Sequence, residues 1–195
     1  MAPDPRDVFH ASLTGHTTGS SDFDLNPEVV LPPNRLLRPA AVLVAYQMVS
    51  GVPYLVLTKR SLALKHHPGQ IAFPGGKCDA ADQDITHTAQ REAWEEIGLA
   101  PDTVEIIGHL PPHETVTGFA VTPVLGWVKS AFEPIAEKGE VAEVFMVPLG
   151  HVTNLENYLV QSRRWRGQRR HYYTVPYGPY YIWGATARIL RRIIE

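Results

Sequence analysis

The chain of 195 residues contains a single cysteine, Cys78, so no disulfide can form within it. That scarcity fits a reducing compartment, and a cytoplasmic protein is expected. A nucleophilic role for Cys78 would need a histidine beside it. The residue stands instead between Lys77 and Asp79 and reads as an incidental loop position. Long apolar runs are also missing. Nothing approaches the roughly 18 residues that cross a bilayer, so no membrane partner is expected. The N-terminus lacks a basic region followed by an apolar core, so no secretory signal is expected. The C-terminal Arg-Ile-Ile-Glu is neither a peroxisomal address nor a prenylation box. Excess positive charge is absent too: the net charge is -2, which gives no bulk electrostatic footprint for nucleic acid. There is no internal repeat and no low-complexity tract. Apolar residues make up 44% and charged ones 19%, an ordinary balance that suits one domain with a sizeable core.

What is present is concentrated in residues 75–99, GGKCDAADQDITHTAQREAWEEIGL. A Gly-Gly turn leads through an acidic loop into a helix that stops at Gly98. At about 100° per residue, Glu92, Glu95 and Glu96 fall within an arc of roughly 100°. Ala89, Ala93 and Ile97 form a neighbouring apolar stripe that seats the helix on a core. Like charges at i,i+4 weaken a helix, and Glu92 and Glu96 are such a pair. A charge run is more often a solvated face. Clustered carboxylates are also what a hard divalent cation seeks, and Mg²⁺ is commonly held by one or two of them plus waters and phosphates.

These residues resemble the Nudix box: a Gly, an acid, then Arg-Glu-apolar-x-Glu-Glu-x-Gly-apolar. Gly76, Arg91, Glu92, Ala93, Glu95, Glu96, Gly98 and Leu99 take the matching places. The box's first acid falls on Asp82, and the stretch from there to Arg91 is one residue longer than the family's. That acid normally pairs with the Arg to brace the loop, and either Asp79 or Asp82 can serve.

The segment ahead of the box carries Lys59, Arg60, Lys65, His66 and His67, a cationic stretch suited to an anionic substrate. It resembles the extra motif of the coenzyme A branch of Nudix hydrolases. The matching residues are Leu57, Thr58, Arg60, Ser61, Leu64, His67, Gly69, Gln70, Phe73, Pro74, Gly75 and Gly76. That branch also has an extra residue inside the box. Lys65 stands where the branch often shows Arg, which matters for bidentate phosphate contacts. The segment 182–187, IWGATA, resembles the same branch's C-terminal end.

Along the chain, residues 1–36 are polar and irregular, with a short helix at 6–14, and read as an N-terminal arm packed on the domain of residues 37–195. Residues 39–49 and 54–58 read as a β-hairpin turning at Ser50-Gly51. A turn and strand follow at 101–110, a strand with a break at Pro123 over 117–128, a charged loop at 133–140 and a strand at 141–149. The resemblance implies that an acid in this region can supply an additional metal ligand or a base, a role for which Glu140, Glu114 and Glu143 compete; each reads equally well as an exposed loop acid. A short helix at 151–158 is expected to be capped by Thr153. Residues 162–171 hold five arginines around Trp165. Such a stretch can bind single-stranded nucleic acid, contact nucleotide phosphates or form a solvated hairpin; nucleic acid ranks last. One or two strands are expected at 172–182, and the apolar-aromatic stretch to Trp183 is a candidate homodimer surface. A closing amphipathic helix at 186–194 turns Ala187, Leu190 and Ile194 inward and Arg188, Arg191 and Arg192 outward.

The expected fold class is α/β (α+β), and the resemblance implies a Nudix-type α/β/α sandwich with a mixed β-sheet. It implies Mg²⁺ or Mn²⁺ as cofactor, with Glu92 and Glu96 as ligands and Glu95 as third ligand or water-orienting group. Arg91 braces the loop, and Arg60, Lys77, His67, Gln70, Gly75 and Gly76 face the substrate. The implied substrate is a small molecule, coenzyme A or a derivative, cut at its pyrophosphate. The alternatives are a nucleotide sugar or dinucleotide, a non-catalytic nucleotide-binding protein, and an RNA-binding or decapping protein.

Overall fold

The computed structural model describes residues 5–15, 17–165 and 167–195. In chain order the elements are α1 (Pro5–Gly15), β1 (Ser20–Ser21), β2 (Arg38–Val49), β3 (Val52–Arg60), β4 (Ile71–Ala72), β5 (Gly75–Lys77) and α2 (Ile85–Ile97). They continue with β6 (Val104–His109), β7 (His113–Glu114), β8 (Phe119–Val128), β9 (Val141–Pro148), α3 (Leu149–Val152), β10 (Leu159–Trp165), β11 (Gln168–Thr174) and α4 (Gly184–Arg192). Strands β1 to β9 form one mixed sheet, and β10 and β11 form a separate hairpin.

Strand β2 is the spine of the sheet. It runs parallel to β8 on one side and antiparallel to β3 and β5 on the other. Both its faces are covered, which is why it reads as an unbroken apolar run. Ala41, Leu43 and Ala45 face one core with Ala89, Ala93 and Ile97 of α2. Val44 and Tyr46 face the other core with Phe9 of α1 and Leu190 of α4. The result is the expected α/β/α layering around a mixed sheet. The β2–β3 turn has Ser50 at φ 50° and Gly51 at φ 81°. Two positive φ angles in succession make the turn whose twist matches a tight hairpin.

Helix α2 is fixed at both ends by local chemistry. The Asp84 side chain accepts from the His87 N–H at 2.8 Å. Gly98 takes the left-handed conformation, φ 71°, and its N–H bonds back to the Trp94 carbonyl. Phe9 meets Tyr46 edge-on, ring centroids 5.3 Å apart. Asn26 pins the same N-terminal region to β11: its side chain accepts from the His171 N–H and donates to the His171 carbonyl.

Several expectations need correction. Strand β8 is continuous through Pro123. Pairing with β7 ends at Val121 and pairing with β6 begins at Val124, so the missing N–H falls in the gap between ladders. Residues 151–158 form no single helix. Asn154, not Thr153, caps a short 3₁₀ turn at Leu155–Asn157, and Thr153 donates back to the Leu149 carbonyl at the end of α3. Within 172–182 the strand ends at Thr174, and only isolated bridges follow. Much of that stretch is engaged inside the chain: Tyr180 stacks on Phe145 with centroids 3.6 Å apart. The buried isoleucines here are Ile189 of α4 and Ile193, the residue just after it, while Ile194 is half-buried. Arg188 is largely enclosed between Asp24 and Glu195. Among the described residues no helix is long and apolar enough to cross a membrane.

Candidate active site

The site grows from the junction of β5 with α2. Gly75 sits at φ 156°, and a Cβ there would lie 2.3 Å from the Ala41 carbonyl oxygen. Only glycine lets β5 lie so close to β2. At Gly76 an added Cβ would meet the Glu92 carboxyl carbon at 2.4 Å. The Gly-Gly pair therefore leaves room for a helix carboxylate to lie flat against the strand.

Glu96 is 4% exposed, and its Oε2 accepts from the Gly75 N–H at 3.1 Å. Burial pushes its carboxyl up to about 7. The charges of Glu92 and Glu140 push the same way, and the Gly75 N–H and Arg60 oppose them. Glu92 is raised too, first by burial, with Arg91 opposing and Glu95 and Glu140 adding to the rise. Burial is the first cause of both shifts, and the neighbouring carboxylates add to it, while Arg91 on Glu92 and Arg60 on Glu96 offset it only in part. The donor set therefore fits a hard divalent cation, with Glu92 and Glu96 as the residues that could hold it. Among the described residues no group of three carboxylate, imidazole or thiol side chains is already gathered for a metal. Glu95 accounts for part of this: its Oε2 accepts from Arg91 Nη1 at 3.0 Å, and its side chain is 56% exposed.

Arg91 joins the acidic loop to the helix. Its Nε and Nη2 donate to the two oxygens of Asp82 at 2.8 and 3.0 Å. Nη2 also donates to the Lys77 carbonyl, and Nη1 to Glu92. Asp82 is thus the acid that braces the loop. Asp79 is occupied locally, accepting from the Ala81 N–H. The Arg91 fork holds the Asp82 carboxyl far below the usual carboxylate range.

Of the three alternative acids, Glu140 stands with the cluster, since its charge acts on both Glu92 and Glu96. Glu114 pairs with Arg35, and Glu143 accepts from the Tyr180 hydroxyl. Lys77 is exposed, and its carbonyl accepts from Arg91.

Arg60 ends β3 beside the His67 loop: its N–H donates to the Gln70 carbonyl and its carbonyl accepts from Gly69. Its Nε is buried without a hydrogen-bond partner, and its charge acts on both Glu96 and His67. Burial, then Arg60 and His66, lower the His67 pKa. His67 and Gln70 line a cavity of about 250 Å³ floored by Val42, Ile71 and Phe73. Those floor residues belong to or pack on the core opposite α2. The cavity's lining also includes Arg163, Arg170 and Trp183, which sequence reasoning did not assign to the site. The basic run signalled them, but only the hairpin register shows which arginines face the cavity.

A core sheet layered between helices, with a Gly-Gly strand set against an arginine-braced acidic helix, defines a Nudix-type domain. The NUDIX domain profile matches residues 36–169. The chain is 42% identical over 156 residues to "Uncharacterized Nudix hydrolase NudL" of Enterobacter sp. (strain 638), covering 80% of this chain and 81% of that protein. It is 39% identical over 179 residues to the protein of the same name from Pectobacterium atrosepticum, covering 89% and 92%. Among solved structures it is similar to a MutT/nudix family protein from Enterococcus faecalis, with TM-score 0.55 and 14% identity over 99% of this chain and 73% of that one. It is also similar to the Nudix hydrolase RenU from M. smegmatis, with TM-score 0.51 and 22% identity over 59% and 73%. The chain belongs to the Nudix family of hydrolases.

Proposed function

We propose that this Nudix hydrolase cleaves the pyrophosphate bond of coenzyme A or its derivatives, giving phosphopantetheine, or its acyl form, and adenosine 3′,5′-bisphosphate. One observation carries the reading. The segment that resembles the coenzyme A motif links the two halves of the site, with Arg60 acting on buried Glu96 and His67 and Gln70 lining the cavity. The single cysteine supports a cytoplasmic setting.

In this reading Glu92 and Glu96 hold Mg²⁺ or Mn²⁺. Such an ion supplies charge neutralisation at the phosphates and lowers the pKa of bound water. The chain's own groups then position and polarise. Glu95, freed from Arg91, completes the ligand set or orients the attacking water. Glu140 competes with it for the role of base. Arg60 and Lys77 contact the phosphate oxygens, and the Gly75–Gly76 backbone lets them come close. Arg91 keeps the loop on the helix through Asp82 and does not touch substrate.

The deciding experiment is product analysis after incubation with coenzyme A and Mg²⁺ or Mn²⁺, beside a sample with chelator. Metal-dependent release of phosphopantetheine is expected. Cleavage of a nucleotide sugar or dinucleotide but not of coenzyme A would retain the chemistry and reject the substrate. Failure to cleave any of them would leave a nucleotide-binding protein.

A further inference from the structure

The cavity beside His67 and Gln70 holds about 250 Å³ and is walled by aliphatic side chains from four elements: Val42 of β2, Ile71 of β4, Val121 of β8 and Ile189 of α4. Phe73 and Trp183 add aromatic rings. Ile71, Phe73 and Ile189 are each at most 5% exposed, so this wall belongs to the close-packed core and keeps its shape. Four polar side chains on the wall are spent on the protein itself. Thr186 donates to the Ile71 carbonyl at 2.9 Å. Thr115 accepts from the Phe119 N–H at 3.0 Å, and its hydroxyl pairs with that of Thr117. Asp22, the one acid among the described lining residues, shares a hydrogen bond with buried His113 and accepts from the Val116 N–H.

A wall of this kind stabilises hydrocarbon and penalises a polar group that enters without a partner. The volume falls below the roughly 300–1,000 Å³ of a site that encloses a whole ligand, so the cavity admits one end of a molecule. A wider groove of about 720 Å³ opens beside it and shares His67, Gln70 and Trp183. Lys59, Arg164 and Tyr181 line the groove and not the cavity. Cations and rings together suit the charged purine end of a nucleotide. The cavity is left to the opposite end. Ile71 and Phe73 lead from it into Gly75, whose N–H bonds Glu96, so one short stretch of chain joins the cavity to the acidic helix.

We propose that this cavity receives the acyl chain of a coenzyme A thioester, so that thioesters, and not free coenzyme A, are the preferred substrates. The proposal rests on the coenzyme A reading and adds to it the form that is taken. Coenzyme A has a nucleotide at one end and an arm at the other. The purine and the amides of the arm need hydrogen-bond partners, and burying them among Val42, Val121 and Ile189 would leave them unmet. An acyl chain is hydrocarbon beyond its carbonyl and needs none. Glu92 and Glu96 do not line the cavity, so the chain lies away from the reacting phosphates. Its burial strengthens binding equally before and during the chemical step, which lowers KM and leaves kcat alone.

Initial rates on free, acetyl, butanoyl and hexanoyl coenzyme A, with Mg²⁺ or Mn²⁺ and the full chain, test it. Each methylene moved from water into the cavity is worth about fourfold in kcat/KM. The hexanoyl form is therefore expected to exceed the free form by about tenfold or more, through KM. Ala185 is half-buried and lines the cavity. Ala185→Phe fills the space and should bring the ratio of hexanoyl to free coenzyme A close to one. Ala185→Leu fills less and should end the gain at a shorter chain; melting curves show whether each variant folds, and the leucine variant decides if the phenylalanine one does not. Calorimetric titration with adenosine 3′,5′-bisphosphate should give the same affinity for Ala185→Phe and wild type. Loss of that affinity would put the nucleotide in the cavity and overturn the proposal. An advantage of hexanoyl that survives Ala185→Phe overturns it as well. If free coenzyme A is cleaved as well as its thioesters, the coenzyme A reading stands and the acyl site alone fails. If a dinucleotide is cleaved and no form of coenzyme A is, both fail.

Discussion

Helix α2 and the β10–β11 hairpin both gather charge of one sign, but they sit in different surroundings. On α2 the acids lie beside a built-in counter-charge, Arg91, which binds Asp82, Glu92 and Glu95. Glu96 is left out of that network and is buried. On the hairpin the arginines face one another, and aromatic rings in place of acids hold two of them. The acidic cluster stands on a capped helix packed into the core, which fixes where each carboxylate begins. The basic cluster stands on a separate two-stranded ribbon, held by stacking on rings and not by acids.

The sharpest way to break this contrast is Glu96→Gln. The amide keeps the shape and the acceptor for the Gly75 N–H but loses the charge. Turnover should fall by about 100-fold or more, the scale of a lost metal contribution. The melting temperature of the chelated protein should not fall, because a carboxylate that burial disfavours has been removed. Near wild-type turnover would take Glu96 out of the metal site. Next in size is Gly76→Ala. The new methyl meets the Glu92 carboxylate and must displace it, so activity should drop about tenfold, the upper effect of a small shift in a positioned ligand being larger still. The half-saturating Mn²⁺ concentration should rise in the same titration; an unchanged metal dependence would show that the position of Glu92 does not matter.

The two regions were not equally legible. What makes α2 a helix is local: Asp84 caps it, Gly98 ends it, and Ala89, Ala93 and Ile97 recur at helical spacing. The hairpin of β2 and β3 is local in the same sense. The choice between Asp79 and Asp82 was not readable, because both precede the helix and only the loop's path decides which reaches Arg91. The register of the arginine hairpin was equally hidden, since a shift of one residue would send Arg163 to the other face. Pro123 misled for a related reason. Proline breaks a ladder only where its N–H is needed, and the gap between β6 and β7 is a property of the folded sheet. The half of the site made by Trp183 and the arginines comes from segments far apart in the chain, and no spacing rule connects them.

Asp82→Ala tests whether the counter-charge on α2 is structural. Asp82 accepts from Arg91, Thr88 and the Asp79 N–H, and its side chain is 3% exposed. Removing it leaves the largely enclosed Arg91 fork without its main partner. The melting temperature should fall by about 5 °C at neutral pH. The sign with pH follows from the depressed Asp82 pKa. A lowered carboxylate stabilises fully above its unfolded value, and the contribution is lost as pH falls toward the folded value. The gap between wild type and variant should therefore close in acid, below the ordinary carboxylate range. A gap that stays constant with pH would mean that Asp82 acts through packing and not through its charge.

The smallest effect belongs to the hairpin. Arg169 faces Arg164 across the strands and bonds Ser162. Arg169→Glu turns a repelling cross-strand pair into an attracting one, worth about 0.5 kcal/mol, less the lost hydrogen bond. The charge change alone is a rise of about 1–2 °C in melting temperature for a domain of this size, which the lost Ser162 bond offsets, so the net shift should stay within about 2 °C of zero with turnover unchanged. A clear loss of turnover would place the outer arginine pair in the substrate's path as well. A loss of stability in Arg169→Glu as large as that of Arg169→Gln, which loses the Ser162 bond without gaining an attraction, would mean that the like-charge pairs cost the hairpin nothing.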